Sequence, residues 1–312
     1  MTDFKWEWKP QFDQVYAEEE NGYSDGEPSG YGKIPGAGFK LDTSRSLTLT
    51  NSRMDVTWKS AIEILNGYFR VGSREAPVDT LNIVNEGVDG KTFAKFTSRA
   101  KCEINALAYV FAGETAPLQV RILDNSETVF NQISGIDSSG FQELTIFSNA
   151  NINIGNNANC KFNIYGMSYA TNTNFTVINN ASLAIDLEVC VIDTLTDHVS
   201  FTLGGFQNEV GDASVGDAVI SFSTPLTTFP MSFMELDPNK LSFNFNTKVS
   251  ESNKGKFVFY GLAGFGASAL LNRGFIRIDD VPIPSKDIDK YLVVSKLNDG
   301  SKTTGVSFKL RA

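Results

Sequence analysis

From Arg45 to Arg311 the chain alternates apolar and polar residues almost without interruption. A period of two residues places successive side chains on opposite faces of a strand, so this pattern predicts half-buried β-strands rather than helices. Turn-forming pairs such as Asn66-Gly67 separate the alternating runs. Short strands at intervals of about 8–12 residues are typical of β-sandwiches and jelly rolls. We therefore predict an all-β fold with antiparallel strand pairing.

The length of the chain predicts more than one domain, because 312 residues exceed the usual size of a single hydrophobic core. The 24 Phe residues and a hydrophobic fraction of 41% indicate well-filled cores. An Asn- and Thr-rich stretch at residues 171–174 interrupts the alternation and indicates a domain junction. We predict an extended arm and linker in residues 1–40, a jelly-roll-like β-sandwich in residues 41–172 and a second one in residues 173–312.

The first 40 residues differ in composition from the rest of the chain. Large aromatic residues alternate with charged ones at their start, and a Gly-, Pro- and Ser-rich stretch ends at Gly38. Such a linker has no core of its own, so its aromatic residues need a partner surface. That surface belongs either to the chain's own sandwich or to an adjacent subunit. In the second case the assembly residues are Phe4, Trp6, Trp8, Phe12 and Tyr16.

The residue types required for catalysis are scarce. His198 is the only histidine, which excludes a metal site built on several histidines and leaves little acid–base chemistry near neutral pH. The motif Gly264-x-Gly266-x-x-Ala269 imitates a dinucleotide fingerprint. Too few residues follow it for a crossover helix, so we interpret it as a Gly-rich loop. We predict no enzyme activity, no catalytic residues, no metal site and no cofactor.

The charge and the cysteine content narrow the partners and the compartment. A net charge of −9 without a basic stripe argues against a nucleic-acid partner. The N-terminus lacks the apolar core of a signal peptide, and no stretch reaches the ~18 apolar residues of a membrane helix. An odd number of cysteines within strand-like runs predicts buried free thiols in a reducing compartment. These residues are Cys102, Cys160 and Cys190.

Two features suggest a glycan contact, and each has a structural alternative. Trp58 and Tyr68 offer aromatic rings for a sugar, although packing in the core is the favoured role for both. The Asn-rich segment 149–163 has Asn at alternate strand positions, which can form ladders or bind a sugar. The alternative for this segment is an edge strand and its turn, since Asn tolerates the left-handed conformation.

An aromatic arm followed by two tandem β-sandwiches, without a signal peptide or catalytic residues, resembles the virion structural proteins of bacteriophages. The layout is most similar to double jelly-roll capsid proteins. That resemblance implies trimers or larger assemblies with other virion proteins, and synthesis in the host cytoplasm before incorporation into the virion. We predict a non-enzymatic shell subunit that self-assembles through its sandwich faces and its arm. The alternative is a glycan-binding module in a phage tail or spike, or a cell-surface lectin, because the first sandwich is similar in style to carbohydrate-binding jelly rolls.

Overall fold

The computed structural model confirms that the chain is almost entirely β-structure. Its strands are numbered β1 to β28 in chain order and are accompanied by only two short α-helices and one 3-10 turn in the described residues. The structure describes residues 3–7, 9, 12–25, 38–50, 56–59, 61–86, 93–133, 145–169, 172–188, 192–194, 198–205, 216–224, 236–248, 253–262, 266–298 and 304–311.

The strands form three faces of a parallel β-solenoid, in which each coil of the chain adds one strand to a face. Face 1 contains β2 (Gln14–Tyr16), β4 (Phe39–Leu41), β7 (Ile62–Ile64), β10 (Phe93–Phe96), β12 (Leu118–Ile122), β15 (Ala150–Ile154), β18 (Thr173–Val177), β21 (Val199–Leu203), β23 (Leu241–Phe245) and β25 (Ile276–Ile278), with β26 (Val281–Pro282) at its end.

Faces 2 and 3 share the long strand β11 (Lys101–Gly113), whose first half lies in face 2 and whose second half lies in face 3. The other strands of face 2 are β1 (Phe4–Lys5), β3 (Gly22–Ser24), β5 (Ser46–Leu49), β8 (Tyr68–Val71), β13 (Glu127–Gln132), β16 (Asn159–Ile164), β19 (Ser182–Leu187), β22 (Val219–Ser223), β24 (Lys256–Tyr260), β28 (Thr304–Leu310) and β27 (Leu292–Asn298). The other strands of face 3 are β6 (Val56–Trp58), β9 (Val78–Asn85), β14 (Thr145–Ser148), β17 (Met167–Tyr169) and β20 (Ile192–Thr194).

The prediction of antiparallel pairing is wrong for the solenoid. Strands of successive coils pair in parallel, as β12 does with β15 and β15 does with β18. The antiparallel pairings among the described strands are confined to the C-terminal part, where β24 pairs with β28, β28 with β27, and β25 with β26. In a solenoid one side of every strand faces the core and the other faces solvent. The side chains therefore alternate as they do in an antiparallel sandwich.

Left-handed residue pairs make the corners between faces 1 and 2. Both residues have a positive φ at Asp124-Asn125, at Asn156-Asn157 and at Asn179-Asn180. Two consecutive residues of this kind are also the signature of a tight β-hairpin, so turn residues alone do not distinguish a solenoid corner from a hairpin. Here each pair turns the chain from one face to the next. Side-chain hydrogen bonds join the corners: Asn156 Nδ2 donates to Asp124 Oδ1 at 2.7 Å, and Asn179 Nδ2 donates to Asn156 Oδ1 at 2.8 Å. We call Asp124, Asn156 and Asn179 the corner column.

The interior of the solenoid is filled by aromatic side chains stacked in register. The rings of Phe130 and Phe162, on neighbouring strands of face 2, lie 4.7 Å apart with an interplanar angle of 8°. Phe175 and Phe201 stack in the same way on face 1, at 4.7 Å and 13°. Cys102 and Cys160 also lie in this core as buried free thiols, which confirms their prediction, and burial raises the pKa of both. Cys190 lies outside the described residues.

The ladders continue across the predicted domain boundary at residue 172. Strands β15, β16 and β17 precede this residue, and each pairs with a strand that follows it, one coil later. Buried residues from both sides belong to one core cluster. The sheets therefore do not divide into two separate sandwiches at this position.

The C-terminal part departs from the coil pattern. A helix, α1 (Gly266–Asn272), lies between β24 and β25, and the 3-10 turn Ser285–Asp287 and α2 (Ile288–Tyr291) lead into β27. The interpretation of the segment around Gly266 as a loop is thus wrong for residues 266–272. None of the described helices is long and apolar enough to cross a membrane.

Candidate functional site

A ladder of polar side chains runs along face 2, one residue from each coil. Asn105, Asn131, Asn163, Asp186 and Ser223 occupy register-matched positions on successive strands. Asn131 Nδ2 donates to Asn105 Oδ1 at 3.2 Å, and Asn163 Nδ2 donates to Asn131 Oδ1 at 2.8 Å. Ser223 Oγ donates to Asp186 Oδ1 at 2.6 Å. We call these five residues the polar ladder.

The polar ladder opens into a groove, the acidic groove, at its Asn163 and Asp186 members. The groove has a volume of about 730 Å³, within the range of ~300–1,000 Å³ that is usual for small-molecule sites. No direct hydrogen bond joins the side chains of Asn163 and Asp186 in the described structure, whereas the ladder positions on either side are joined. The lining residues are Gln132, Asn163, Ile164, Asp186, Leu187, Glu188, Ser221, Ser223, Thr224 and Tyr260.

Neighbouring contacts hold the polar groups of the acidic groove in fixed positions. The carboxylate of Asp186 accepts the hydrogen bond from Ser223 on one oxygen and forms an ion pair with Lys161 Nζ at 2.7 Å on the other. Gln132 donates through Nε2 to the carbonyl of Leu107 at 2.8 Å, and its Oε1 accepts from the backbone N–H of Tyr165 at 2.8 Å. These contacts reduce the freedom that the side chains lose on binding a ligand.

Tyr260 provides the aromatic wall of the acidic groove, and Gly305 fixes its ring. The two residues lie opposite each other in the β24–β28 pair. A Cβ atom at position 305 would lie 2.7 Å from Cδ1 of Tyr260, so only glycine lets the ring lie flat over the strand at this point. The face of the tyrosine is thereby held beside the ladder.

A second groove, lined by Tyr68 and called the basic groove, lies nearer the N-terminus. Its volume is about 570 Å³, and its charged lining residues are Asp42, Arg99 and Lys101. The Tyr68 hydroxyl donates to Glu103 Oε2 and accepts from Arg70 Nη2 at 2.7 Å. The hydrogen bond from Tyr68 lowers the pKa of Glu103 against the opposing effect of burial, while burial raises the pKa of Tyr68.

The two sequence-predicted glycan residues do not lie together in one site. Trp58 is fully buried and packs against Phe69 with ring centroids 6.1 Å apart, which confirms the alternative of core packing. Its ring is therefore not accessible to a sugar on the surface. Tyr68 is half-buried and lines the basic groove.

The predicted assembly residues divide between the core and the surface. Trp6 and Tyr16 are buried and meet edge-to-face at 5.8 Å, because β1 and β2 form the first coil of the solenoid rather than a detached arm. The Tyr16 hydroxyl donates to the carbonyl of Glu20, and burial raises its pKa to about 12. Phe4 and Phe12 are 40% and 61% exposed. Trp8 lies outside the described residues.

The remaining chemical candidates have structural roles in the described part of the chain. His198 precedes β21, where its ring nitrogens contact the carbonyl of Asn239 and the hydroxyl of Ser242, each at 2.8 Å. Asp279 accepts hydrogen bonds from the backbone N–H and the hydroxyl of Thr247. The described residues contain no group of three or more His, Cys, Asp or Glu side chains that could hold a metal ion.

One residue of the acidic groove, Asn163, lies in the Asn-rich segment 149–163. A ladder was one of the alternatives that the sequence left open for this segment, and Asn163 forms one. The segment's corner residues Asn156 and Asn157 take the left-handed conformation as expected, although β15 is a central strand rather than an edge. The sequence analysis missed Asp186, Glu188 and Tyr260. Asp186 and Glu188 lie in or next to β19, whereas Tyr260 lies in β24, two coils further along the chain, and the coils differ in length. Comparison of the chain with protein-family models, curated proteins and solved structures finds no match.

Proposed function

We propose that this chain is a non-enzymatic glycan-binding module and that the acidic groove is its binding site. The single observation that carries the proposal is the interruption of the polar ladder between Asn163 and Asp186. The amide oxygen of Asn163 and the carboxylate of Asp186 are both acceptors of hydrogen bonds. A ligand that supplies hydroxyl donors can therefore complete the ladder, while the face of Tyr260 offers an apolar surface to a sugar ring.

The charge of the groove defines the class of glycan. Asp186 and Glu188 belong to the lining, while Lys161, the ion-pair partner of Asp186, is not among the described lining residues, so the two acids leave the groove with a net negative charge. Carboxylates repel acidic sugars and attract amines, since like charges disfavour and opposite charges favour each other at close range. The ligand we propose is a neutral or amine-bearing oligosaccharide rather than a uronate or a sialylated glycan.

The hypothesis of a virion shell subunit remains a prediction from the sequence. Its proposed arm contact relied on aromatic residues that need an external partner, and Trp6 and Tyr16 have their partners within the chain. A glycan-binding protein of a phage tail or spike is the form of the virion hypothesis that agrees best with the acidic groove. Such a role requires no arm.

The proposal is tested with a glycan array, followed by calorimetric titration with three kinds of oligosaccharide. These are chitosan oligosaccharides, which bear amines, cello-oligosaccharides, which are neutral, and polygalacturonate oligosaccharides, which are acidic. We expect binding to a neutral or amine-bearing member and none to polygalacturonate. Asp186→Asn removes one charged acceptor, which corresponds to an affinity loss of about 10–100-fold. Tyr260→Ala removes the apolar wall, and we expect a loss of at least about tenfold.

Tyr68→Ala is the matched control, because Tyr68 is the half-buried tyrosine of the basic groove. This variant should bind as tightly as the unmodified chain. An absence of binding to every glycan on the array would contradict the proposal. Loss of binding in Tyr68→Ala with normal binding in Tyr260→Ala would contradict it as well, and would assign the glycan to the basic groove.

A further inference from the structure

The exposed apolar side chains of this chain are concentrated at the two ends of the solenoid. Eight large hydrophobic residues are exposed among the described residues, and only one of them, Ile146, lies on the side. The N-terminal end surface, formed by the first coil, contains Phe4, Phe12 and Val15. The C-terminal end surface, formed by β26, α2 and β27, contains Val281, Tyr291, Val293 and Val294.

Each end surface also has strand edges without a partner strand in the described structure. β1 pairs only with β3, and β2 only with β4, so both are edge strands. At the other end β27 pairs only with β28, and Val293 and Val294 are each 41% exposed on its two sides. β1 and β27 belong to the same sheet, face 2. An exposed apolar edge strand is a template for pairing with another chain.

The two end surfaces carry opposite charges. Among the described residues, the segment 3–25 has seven acidic residues against two basic ones, a net charge of −5, and Glu18, Glu19 and Glu20 are all exposed. The segment from Val281 to Arg311 has five basic residues against two acidic ones, a net charge of +3. Lys286, Lys290 and Lys296 are exposed in this segment. The surfaces are therefore complementary to each other, whereas each repels a copy of itself.

We propose that copies of this chain associate head to tail, with the acidic N-terminal end of one solenoid on the basic C-terminal end of the next. Such a contact is heterologous, since different surfaces meet, and it leaves a free end on each copy. Association covers the exposed apolar residues and extends face 2 from one copy into the next. The proposal does not depend on the acidic groove, which lies on the side of the solenoid.

Sedimentation velocity of the full chain over a range of concentrations tests this association. We expect species that grow with concentration, and weaker association at about 0.5 M than at about 0.05 M salt, because salt screens the charges between the ends. The head variant is Glu18→Lys, Glu19→Lys and Glu20→Lys, and the tail variant is Lys286→Glu, Lys290→Glu and Lys296→Glu. Each alone should weaken association by about tenfold or more, the sum of three modest charge contacts.

Combining the variants distinguishes head-to-tail contact from the symmetric alternatives. A chain that carries both sets of substitutions has exchanged charges and should associate again. An equimolar mixture of head and tail variants should also associate, with the two variants alternating, because each end then meets an end of opposite charge. The control variant reverses the charge of three exposed acidic residues on the side of the solenoid: Glu75→Lys, Glu114→Lys and Asp217→Lys. Its net charge changes by the same amount as that of the head variant, and it should associate normally. A monomer at every concentration overturns the proposal. So does a dimer that only one of the two end variants disrupts, because that result indicates a symmetric contact or another occupant of the free end.

Discussion

The aromatic interior and the corner column both run along the solenoid in register, yet they impose different constraints. In the interior, Phe130 and Phe162 contact each other through faces of equal shape, and another large apolar residue can take such a position, as Ile185 does on the next strand. At the corner, Asn156 and Asn179 must combine a positive φ with a side chain that reaches the next coil. A position in the interior thus requires a side chain of suitable volume, whereas a position in the corner column requires a particular residue type.

The coil that follows the corner column shows what the Asn and Asp side chains contribute to the corner. That coil turns at Gly204 and Gly205, which have φ of 98° and 90° but no side chains to continue the column. This coil is also the longest on face 1, since Val199 lies beside Leu241, a separation of 42 residues, whereas Ala150 lies beside Thr173, a separation of 23. Corner side chains are linked across the shorter of these two coils, and the Gly204-Gly205 corner of the longer coil has no side chains to link.

The largest effect is expected in the interior. Phe162→Ala removes a fully buried ring that also contacts Phe111 and Phe147 edge-to-face. We expect a loss of about 3–5 kcal/mol in the free energy of unfolding, measured by urea denaturation, because a cavity adds to the lost apolar burial. Phe162→Leu keeps most of the volume and should lose less than half of that. Equal losses for the two variants would show that the ring itself, and not its volume, is required.

A smaller effect is expected at the corner, where two substitutions separate backbone conformation from side chain. Asn179 has a φ of 51° and is 7% exposed. Asn179→Ala loses both the left-handed preference and the hydrogen bond to Asn156, and we expect about 2–3 kcal/mol of destabilisation. Asn179→Gly keeps the conformation and loses only the hydrogen bond, so about 1 kcal/mol is expected in the same denaturation experiment. If glycine were as harmful as alanine, the conformation would contribute nothing at this corner.

These two columns also explain how far the sequence could predict the fold. The apolar positions were predicted because a period of two is visible in one chain. The left-handed conformation was given as an alternative for the Asn-rich segment 149–163, which contains Asn156 and Asn157. The pairing partner of each strand was not predicted, because a solenoid strand and a sandwich strand have the same alternation of apolar and polar residues. The coil lengths vary from 23 to 42 residues on face 1, which hides the repeat that would have distinguished them.

The acidic groove shares this difficulty. Asn163, Asp186 and Tyr260 are neighbours only because their strands follow each other in face 2, and no spacing in the sequence connects them. The segment from Val56 to Leu65 shows the same effect locally, since its period of two continues in the same phase although β6 lies in face 3 and β7 in face 1. Alternation continues across this change of face and conceals it.

The smallest effect is expected on the exposed side of face 2, where Glu103 begins a network that neither column provides. Tyr68 donates to this carboxylate, and Asn105 and Arg70 also contact it, so that its pKa in the folded chain lies below the ordinary value. A lowered pKa stabilises the folded state above the unfolded value of about 4.3, and this stability is lost as the pH falls through the folded pKa. Because Glu103 is partly exposed, the contribution at pH 7 should not exceed about 1 kcal/mol.

Glu103→Gln should therefore unfold more easily than the unmodified chain at pH 7, and the difference between their free energies of unfolding should shrink as the pH is lowered towards 3. The same urea denaturation, repeated across this pH range, measures it. Phe162→Ala provides the comparison, since its loss arises from apolar volume and should keep its size over the range in which both chains remain folded. If the difference in free energy of unfolding between Glu103→Gln and the unmodified chain stayed constant with pH, the carboxylate would act through its shape alone, as a residue of the interior does. The polar exterior would then not differ from the core in how its side chains stabilise the fold.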